Sequence, residues 1–240
     1  MIGGLGALDG VVLVDKPAGM TSHDVVAKIR RTFGVPKVGH GGTLDPAATG
    51  LLVILTGKGT KISERVMGHD KTYRGELTLG VETDSQDADG EVTARADEAA
   101  VAAVTREAVE AAMRTLTGDL MQVPPMVSAK KINGVPLYKL ARKGQEVERK
   151  PAYVHVYRFR LEEWAPPRVA FEVECTKGTY VRTLAHDVGK AVGVGAHLSA
   201  LRRLKAGPFG VEEAHPLDEI LAGRLEDFVL PLGEALLRLP

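Results

Sequence analysis

Apolar positions along the chain change period several times, and each change predicts an element. Residues 10–15 (Gly-Val-Val-Leu-Val-Asp) are a short apolar run closed by Lys16-Pro17, which reads as a buried strand. Val25, Val26, Ile29 and Phe33 then recur at helical spacing behind Thr21 or Ser22 as N-cap, and Gly34 and Pro36 stop the helix. Residues 51–55 are continuously apolar, too short for a free helix and suited to a central strand. Residues 72–79 alternate as a strand, and residues 106–116 place Val109, Ala112, Met113 and Leu116 on one helical face behind Thr105. Residues 127–132 lead into Asn133-Gly134, a hairpin signal, followed by a short helix over 136–143. Strands over 153–161 and 169–175 flank Pro166-Pro167, and helices follow over 180–192 and 217–221. Strands in the core with helices on the flanks predict an α+β protein.

Composition narrows the class without choosing a function. In 240 residues, 44% are hydrophobic and 26% charged, which is globular rather than disordered. One cysteine, Cys175, excludes an intrachain disulfide framework and a multi-thiolate metal site. No apolar run approaches the roughly 18 residues of a membrane span, and the N-terminus lacks the basic and long apolar regions of a secretory signal. A cytoplasmic protein without a membrane partner is the expectation.

The charge total misleads. Lys and Arg number 31 against 31 Asp and Glu, net zero, which as a sum argues against a polybasic nucleic-acid binder. By segment the net charge is +5 over 15–75, −7 over 82–120, +5 over 127–151, +4 over 178–208 and −5 from 212 onward. Three basic segments alternate with two acidic ones. If the basic ones converge, a neutral protein presents a phosphate-binding face; taken singly, each is an ordinary solvated surface.

The densest block is Val38-Gly39-His40-Gly41-Gly42-Thr43-Leu44-Asp45-Pro46-Ala47-Ala48-Thr49-Gly50. Its glycines permit close backbone approach, and Asp45-Pro46 makes a rigid turn just before a buried strand. A carboxylate held there is pre-positioned for chemistry; on geometry alone the favoured reading is that it caps its own backbone. Phosphate-loop and dinucleotide readings fail. Gly57-Lys58 is followed by glycine, and Gly39-x-Gly41 and Gly193-x-Gly195 lack their third glycine. No His-Glu-x-x-His pair occurs among the seven histidines, so no metal site is expected.

Five blocks carry a resemblance. Residues 16–22 (Lys-Pro-Ala-Gly-Met-Thr-Ser), 39–50, 71–74 (Lys-Thr-Tyr-Arg), 177–183 (Lys-Gly-Thr-Tyr-Val-Arg-Thr) and 195–203 (Gly-Ala-His-Leu-Ser-Ala-Leu-Arg-Arg) resemble, in order, the bacterial tRNA pseudouridine-55 synthases of the TruB family. Residues 123–130 and the basic stretch after them also look like that family. The resemblance implies the pseudouridine synthase fold, a mixed, largely antiparallel sheet flanked by helices. It implies a catalytic domain over 1–210 with a basic thumb insertion at about 124–151. Residues 211–240 are then a C-terminal helical tail, an acidic appendage, with the family's usual PUA-type domain absent.

The implied reaction is isomerisation of the T-loop uridine of tRNA to pseudouridine. The base flips out, the N1–C1′ bond breaks, the uracil turns, and C5 joins C1′. Nothing is oxidised, so no cofactor is expected. Asp45 matches the catalytic aspartate, Arg182 the arginine that pairs with it, and Tyr73 the active-site tyrosine, expected to stack on the flipped uracil and to assist the final proton removal from C5. Tyr180 matches a pocket-lining tyrosine, Leu201 an apolar wall under the base, and His40 the side chain that fills the vacated stack. Lys16 and Pro17 are expected to support the pocket floor. Lys130 and Lys131 are expected to grip RNA phosphates, with Arg202, Arg203 and Lys205 extending that face. The expected partner is the T arm of tRNA, with no obligate protein partner and a monomeric state. An RNA chaperone that flips bases without chemistry, and a nucleoside hydrolase with an aspartyl nucleophile, are the alternatives; pseudouridine formation without mass change separates them from the isomerase.

Overall fold

A computed structural model describes residues 6, 8–125, 131–132, 135–136 and 147–239. The strands are β1 (Gly10–Lys16), β2 (Val38–His40), β3 (Thr49–Thr56), β4 (Lys71–Leu79), β5 (Val81–Thr83), β6 (Val92–Arg95), β7 (Gly118–Gln122), β8 (Lys131–Ile132), β9 (Val135–Pro136), β10 (Ala152–Ala165), β11 (Arg168–Cys175), β12 (Ala196–Ala206), β13 (Phe209–Gly210), β14 (His215–Pro216) and β15 (Val229–Pro231). The helices are α1 (Ser22–Phe33), α2 (Ser63–Met67), α3 (Glu98–Ala102), α4 (Arg106–Thr115), α5 (Val181–Ala191), α6 (Leu217–Ala222) and α7 (Leu232–Arg238). The protein is α+β with mixed strand pairing, as expected. Among the described residues no helix is long and apolar enough to cross a membrane. The chain forms two compact units, Met1–Tyr73 with Leu201–Pro240, and Arg74–Ala200. Strands β4 and β12 each pass from one unit into the other.

In the first unit the strand order is β14-β1-β3-β12, with β2 paired to β3, β15 to β1 and β13 to β12. Strands β1 and β3 are antiparallel, from Gly10↔Thr56 to Lys16↔Gly50. Side chains alternate across a strand. Val12, Val14, Leu52 and Ile54 therefore join one apolar cluster, and Val11, Leu13, Leu51, Val53 and Leu55 join another. Burial on both faces is why these strands read as continuous apolar runs. Helix α1 covers the first cluster with Val25, Val26 and Ile29, each contributing roughly 1.5–3 kcal/mol relative to exposure. Its start is a capping box: Thr21 Oγ1 accepts from Asp24 N–H at 3.0 Å, and the Asp24 carboxylate accepts from Thr21 N–H at 2.9 Å. Gly34, at φ 64°, ends it in the left-handed conformation that glycine adopts without strain.

The segment after Gly210 is built into this unit rather than appended to it. Strand β14 runs parallel to β1 and β15 antiparallel to it. Leu217, Ile220 and Leu225 are buried with α1, and Leu232, Ala235 and Leu239 in the other cluster. The segment's acidic charge obscured this, because its buried residues, Leu217, Ile220, Leu225, Leu232, Ala235 and Leu239, come one at a time among exposed and half-buried neighbours.

In the second unit the order is β12-β4-β11-β10-β7. Strand β10 pairs antiparallel with β11 on one side and with β7 on the other. Val109, Ala112 and Met113 of α4 are buried, as the helical spacing predicts, behind Thr105 as N-cap. Phe159 and Phe171 meet edge to face at 5.2 Å, and a Cβ at Gly75 would lie 2.4 Å from the Phe171 ring, so only glycine fits there. Strands β8 and β9 pair antiparallel, Ile132 opposite Val135, on either side of the expected Asn133-Gly134 turn. That turn lies outside the described residues; of the helix expected over 136–143, Pro136 instead ends strand β9 and the remainder lies outside them.

Candidate active site

The Asp45 turn is held from every side by backbone contacts within the first unit. Strand β2 leads into it, pairing His40 with Ile54, and Gly41 N–H continues the ladder to Val53 O at 2.8 Å. A Cβ at Gly41 would lie 2.3 Å from Val66 Cγ1, and one at Gly50 (φ 92°) 2.4 Å from Arg203 O, so both glycines permit approaches no other residue allows. Leu44 is fixed by Ser22, whose hydroxyl accepts from Leu44 N–H at 2.8 Å and donates to Leu44 O at 3.1 Å. Pro46 O accepts from Gly19 N–H at 2.9 Å and from Lys16 Nζ at 3.1 Å. The turn closes through Ala48 N–H to Asp45 O at 3.1 Å. Asp45 itself is exposed while Leu44 and Ala48 are buried.

Two buried cations hold this turn. Lys16, fully buried, donates to the carbonyls of Pro17 (2.8 Å), Met20 (2.7 Å) and Pro46 (3.1 Å), tying the 16–22 block to the Asp-Pro turn. Burial lowers its pKa to about 8, with the Asp45 carboxylate opposing that shift and the Arg203 guanidinium adding to it. Arg203, 1% exposed, donates to Leu51 O (2.7 Å), Thr43 O (3.3 Å) and Gly42 O (3.2 Å). It therefore grips the turn on both sides of Asp45. The sequence reading placed Arg203 on an RNA-facing surface; its burial and three carbonyl partners correct that. Arg202 is also engaged, donating to both Asp15 carboxylate oxygens at 2.9 and 2.7 Å.

His40 is half-buried, and its Nδ1 accepts from Gly42 N–H at 3.4 Å. Burial, then the Arg203 and His23 charges, lower its pKa and favour the neutral ring. Tyr73 and Leu201 are partly buried and pack against the same apolar cluster, the one formed by β1, β3 and α1. Thr49 Oγ1 donates to Leu201 O at 3.4 Å.

Arg182 and Tyr180 belong to the second unit. Tyr180 is the N-cap of α5, and the Arg182 guanidinium stands 5.9 Å from its ring centroid. Arg182 is 5% exposed and donates through Nη1 to Asp87 Oδ2 at 2.9 Å. Asp87 lies in the 83–91 loop, where its other oxygen accepts from Ser85 Oγ at 2.5 Å. Gln86 beside it has φ 66°, and its side chain accepts from Thr183 Oγ1 at 2.7 Å, which binds the loop to α5. The sequence reading missed Asp87. Its partner is 95 positions away, and only the polar, glycine-containing run Thr83-Asp84-Ser85-Gln86-Asp87-Ala88-Asp89-Gly90 marked a structured turn. Lys130 lies outside the described residues, and of Lys131 only the β8 pairing is described.

An exposed carboxylate on a turn fixed by two buried cations is an arrangement suited to an enzyme that uses a carboxylate as nucleophile or base. The chain belongs to the TruB family of pseudouridylate synthases. The model of the family's N-terminal domain matches residues 30–181, and that of the tRNA pseudouridylate synthase B C-terminal domain matches residues 182–237. A tRNA pseudouridine synthase B from Opitutus terrae is 52% identical over 231 residues, 95% of each chain. One from Syntrophotalea carbinolica is 48% identical over 236 residues, 97% of this chain and 76% of that protein. Among solved structures, a chain of a Cbf5-Nop10-Gar1 complex superimposes with TM-score 0.75 at 28% identity, over 97% of this chain and 63% of that one. A chain of an H/ACA RNP bound to a substrate RNA containing 2′-deoxyuridine gives TM-score 0.71 at 26% identity, over 95% and 61%. This chain thus spans less than two thirds of those two solved chains.

Proposed function

We propose that this protein isomerises uridine 55 in the T loop of tRNA to pseudouridine. The uridine flips out of the loop, its N1–C1′ bond breaks, the uracil rotates, C5 bonds to C1′, and the C5 proton leaves while N1 gains one. Every atom of the nucleoside is retained, so the reaction needs no redox partner and no imported group. Asp45 supplies the carboxylate, as nucleophile or as base at the ribose. Arg182 pairs with it in the closed complex and keeps it ionised as water is excluded. Tyr73 stacks on the flipped uracil, Tyr180 and Leu201 line the pocket, and His40, as a neutral ring, fills the vacated stack. The catalytic function resides in residues 1–210. Within them 124–151 act as a thumb whose Lys130 and Lys131 contact phosphates, and residues 211–240 brace β1. The protein works as a cytoplasmic monomer on the T arm, without an obligate protein partner.

The observation that carries this reading is the Asp45 turn. In a chain of this family, the backbone around one exposed carboxylate is fixed by Ser22, Lys16 and Arg203. That is the pre-organisation a reacting group requires, since orientation supplies a large part of a catalytic barrier reduction. The test is reaction of the purified protein with a T-arm stem-loop, followed by carbodiimide mapping and mass spectrometry. Pseudouridine at the T-loop uridine with unchanged RNA mass is expected. Released uracil, or pseudouridine only at another position, contradicts the reading.

A further inference from the structure

Gln122, the last residue of β7, is 6% exposed and has no part in the roles assigned above. Its Oε1 accepts from the backbone N–H of Tyr180 at 2.7 Å, and its Nε2 donates to the backbone C=O of Tyr180 at 3.1 Å. A carboxamide meeting both polar groups of one residue imitates a rung of a β-ladder. Two such bonds fix the residue's orientation where one leaves it free to turn. Tyr180 is a residue where orientation is at stake. It is the N-cap of α5 in extended geometry (φ −93°, ψ 104°), without a side-chain cap bond of its own. It follows Gly178, at φ 83°, by two positions, and its carbonyl also accepts from Thr183 and Leu184 N–H at 3.1 and 3.2 Å. The direction in which α5 begins, and so where the Tyr180 ring and the Arg182 guanidinium point, depends on this peptide.

We infer that Gln122 is a positioning residue for the isomerisation, fixing Tyr180 and Arg182 through its bidentate grip on the Tyr180 backbone. The inference rests on the function proposed above. Gln122 touches neither substrate nor reacting atoms; it acts through the peptide it holds. Only a side chain with one acceptor and one donor at this length performs the task. Glutamate as carboxylate has the shape but sets an oxygen against Tyr180 O, whereas protonated glutamic acid restores one acceptor and one donor. Methionine matches the length and offers neither.

The test uses the full chain with Gln122→Glu and Gln122→Met, measuring single-turnover pseudouridine formation and tRNA affinity at about pH 8 and about pH 6, since burial raises a glutamate pKa. Dividing each rate by that of the unsubstituted protein at the same pH removes the pH dependence that the two proteins share, with Asp119 on β7, His155 on β10 and Asp87 beside Arg182 present in both. Both variants are expected to lose roughly 10- to 100-fold in rate at the higher pH while keeping tRNA Kd within about twofold. Gln122→Glu is expected to recover most of the loss at the lower pH, and Gln122→Met none of it. Wild-type rates in Gln122→Met, a Gln122→Glu deficit equal at both pH values, or an equal loss of affinity and rate overturns the inference. Should Gln122→Glu fail to fold, the rate-against-affinity split of Gln122→Met decides alone. An unsubstituted protein inactive on the T arm overturns the proposed function instead, so the two failures are distinguishable.

Discussion

Arg203→Lys tests whether the Asp45 turn is held in place by a buried guanidinium. The arginine makes one short bond, to Leu51 O at 2.7 Å, and two longer ones, to Gly42 O at 3.2 Å and Thr43 O at 3.3 Å. Lysine keeps the charge but replaces a planar fork with a single point, and reaches one of these acceptors. Two bonds from a charged donor are lost at about 1.5–3 kcal/mol each, and the lost pair sits at the weak end, giving a destabilisation of about 3–4 kcal/mol. Free carbonyls at Gly42 and Thr43 also let Asp45 drift, and a displacement near 1 Å costs on the order of 10²-fold in rate. Urea denaturation measures the first quantity, provided the m-value is unchanged. Single-turnover pseudouridine formation at saturating protein measures the second. Tm should fall and the rate should fall, with tRNA Kd nearly constant. A destabilisation under about 0.5 kcal/mol, as at an ordinary surface site, together with an unchanged rate, refutes the reasoning.

Two further outcomes follow from the same geometry. Asp87→Asn removes the carboxylate paired with buried Arg182; breaking such a pair costs about 3–5 kcal/mol in a dry setting, and partial exposure of Asp87 puts the expected loss at the low end, with a fall in kcat measured on a T-arm substrate. Wild-type stability and kcat in that variant contradict it. Lys16 has a folded pKa of about 8 against an ordinary 10.5, so the folded state binds fewer protons than the unfolded chain between those values. Its contribution is therefore fully present above about pH 10.5 and is lost as pH falls through about 8. The unfolding free energy of the unsubstituted protein minus that of Lys16→Met should rise across this window by at most roughly 3 kcal/mol, and a flat difference contradicts it.

The elements whose periodicity reports burial were legible in the sequence: β1 and β3 as apolar runs, α1 with its Thr21 cap and Gly34 stop, and α4 behind Thr105. Strand β12 was not, although it lies beside β3. Its Ala-His-Leu-Ser-Ala-Leu-Arg-Arg-Leu-Lys-Ala pattern puts charge where a strand interior should be apolar, and pattern reading sends arginines to the surface. Arg203 is buried because backbone carbonyls, which have no sequence signature, satisfy it. The same holds for Gln122, whose partner is a main-chain peptide 58 residues away. The Asp45 turn was legible as a glycine-rich Asp-Pro block because its demands are local. Asp87 was not, because its importance comes from Arg182, and no periodicity links the two positions. The C-terminal segment misled for a third reason: net charge is an average, while burial follows single residues such as Leu217, Ile220 and Leu232.

The most direct test of the account is Asp45→Asn, which keeps the turn's shape and removes the carboxylate's charge. The variant, bound to a T-arm stem-loop and assayed by carbodiimide mapping under single-turnover conditions, should retain tRNA affinity within about twofold and form no pseudouridine. Pseudouridine at the T-loop uridine in that reaction contradicts the assignment of Asp45 as the reacting carboxylate.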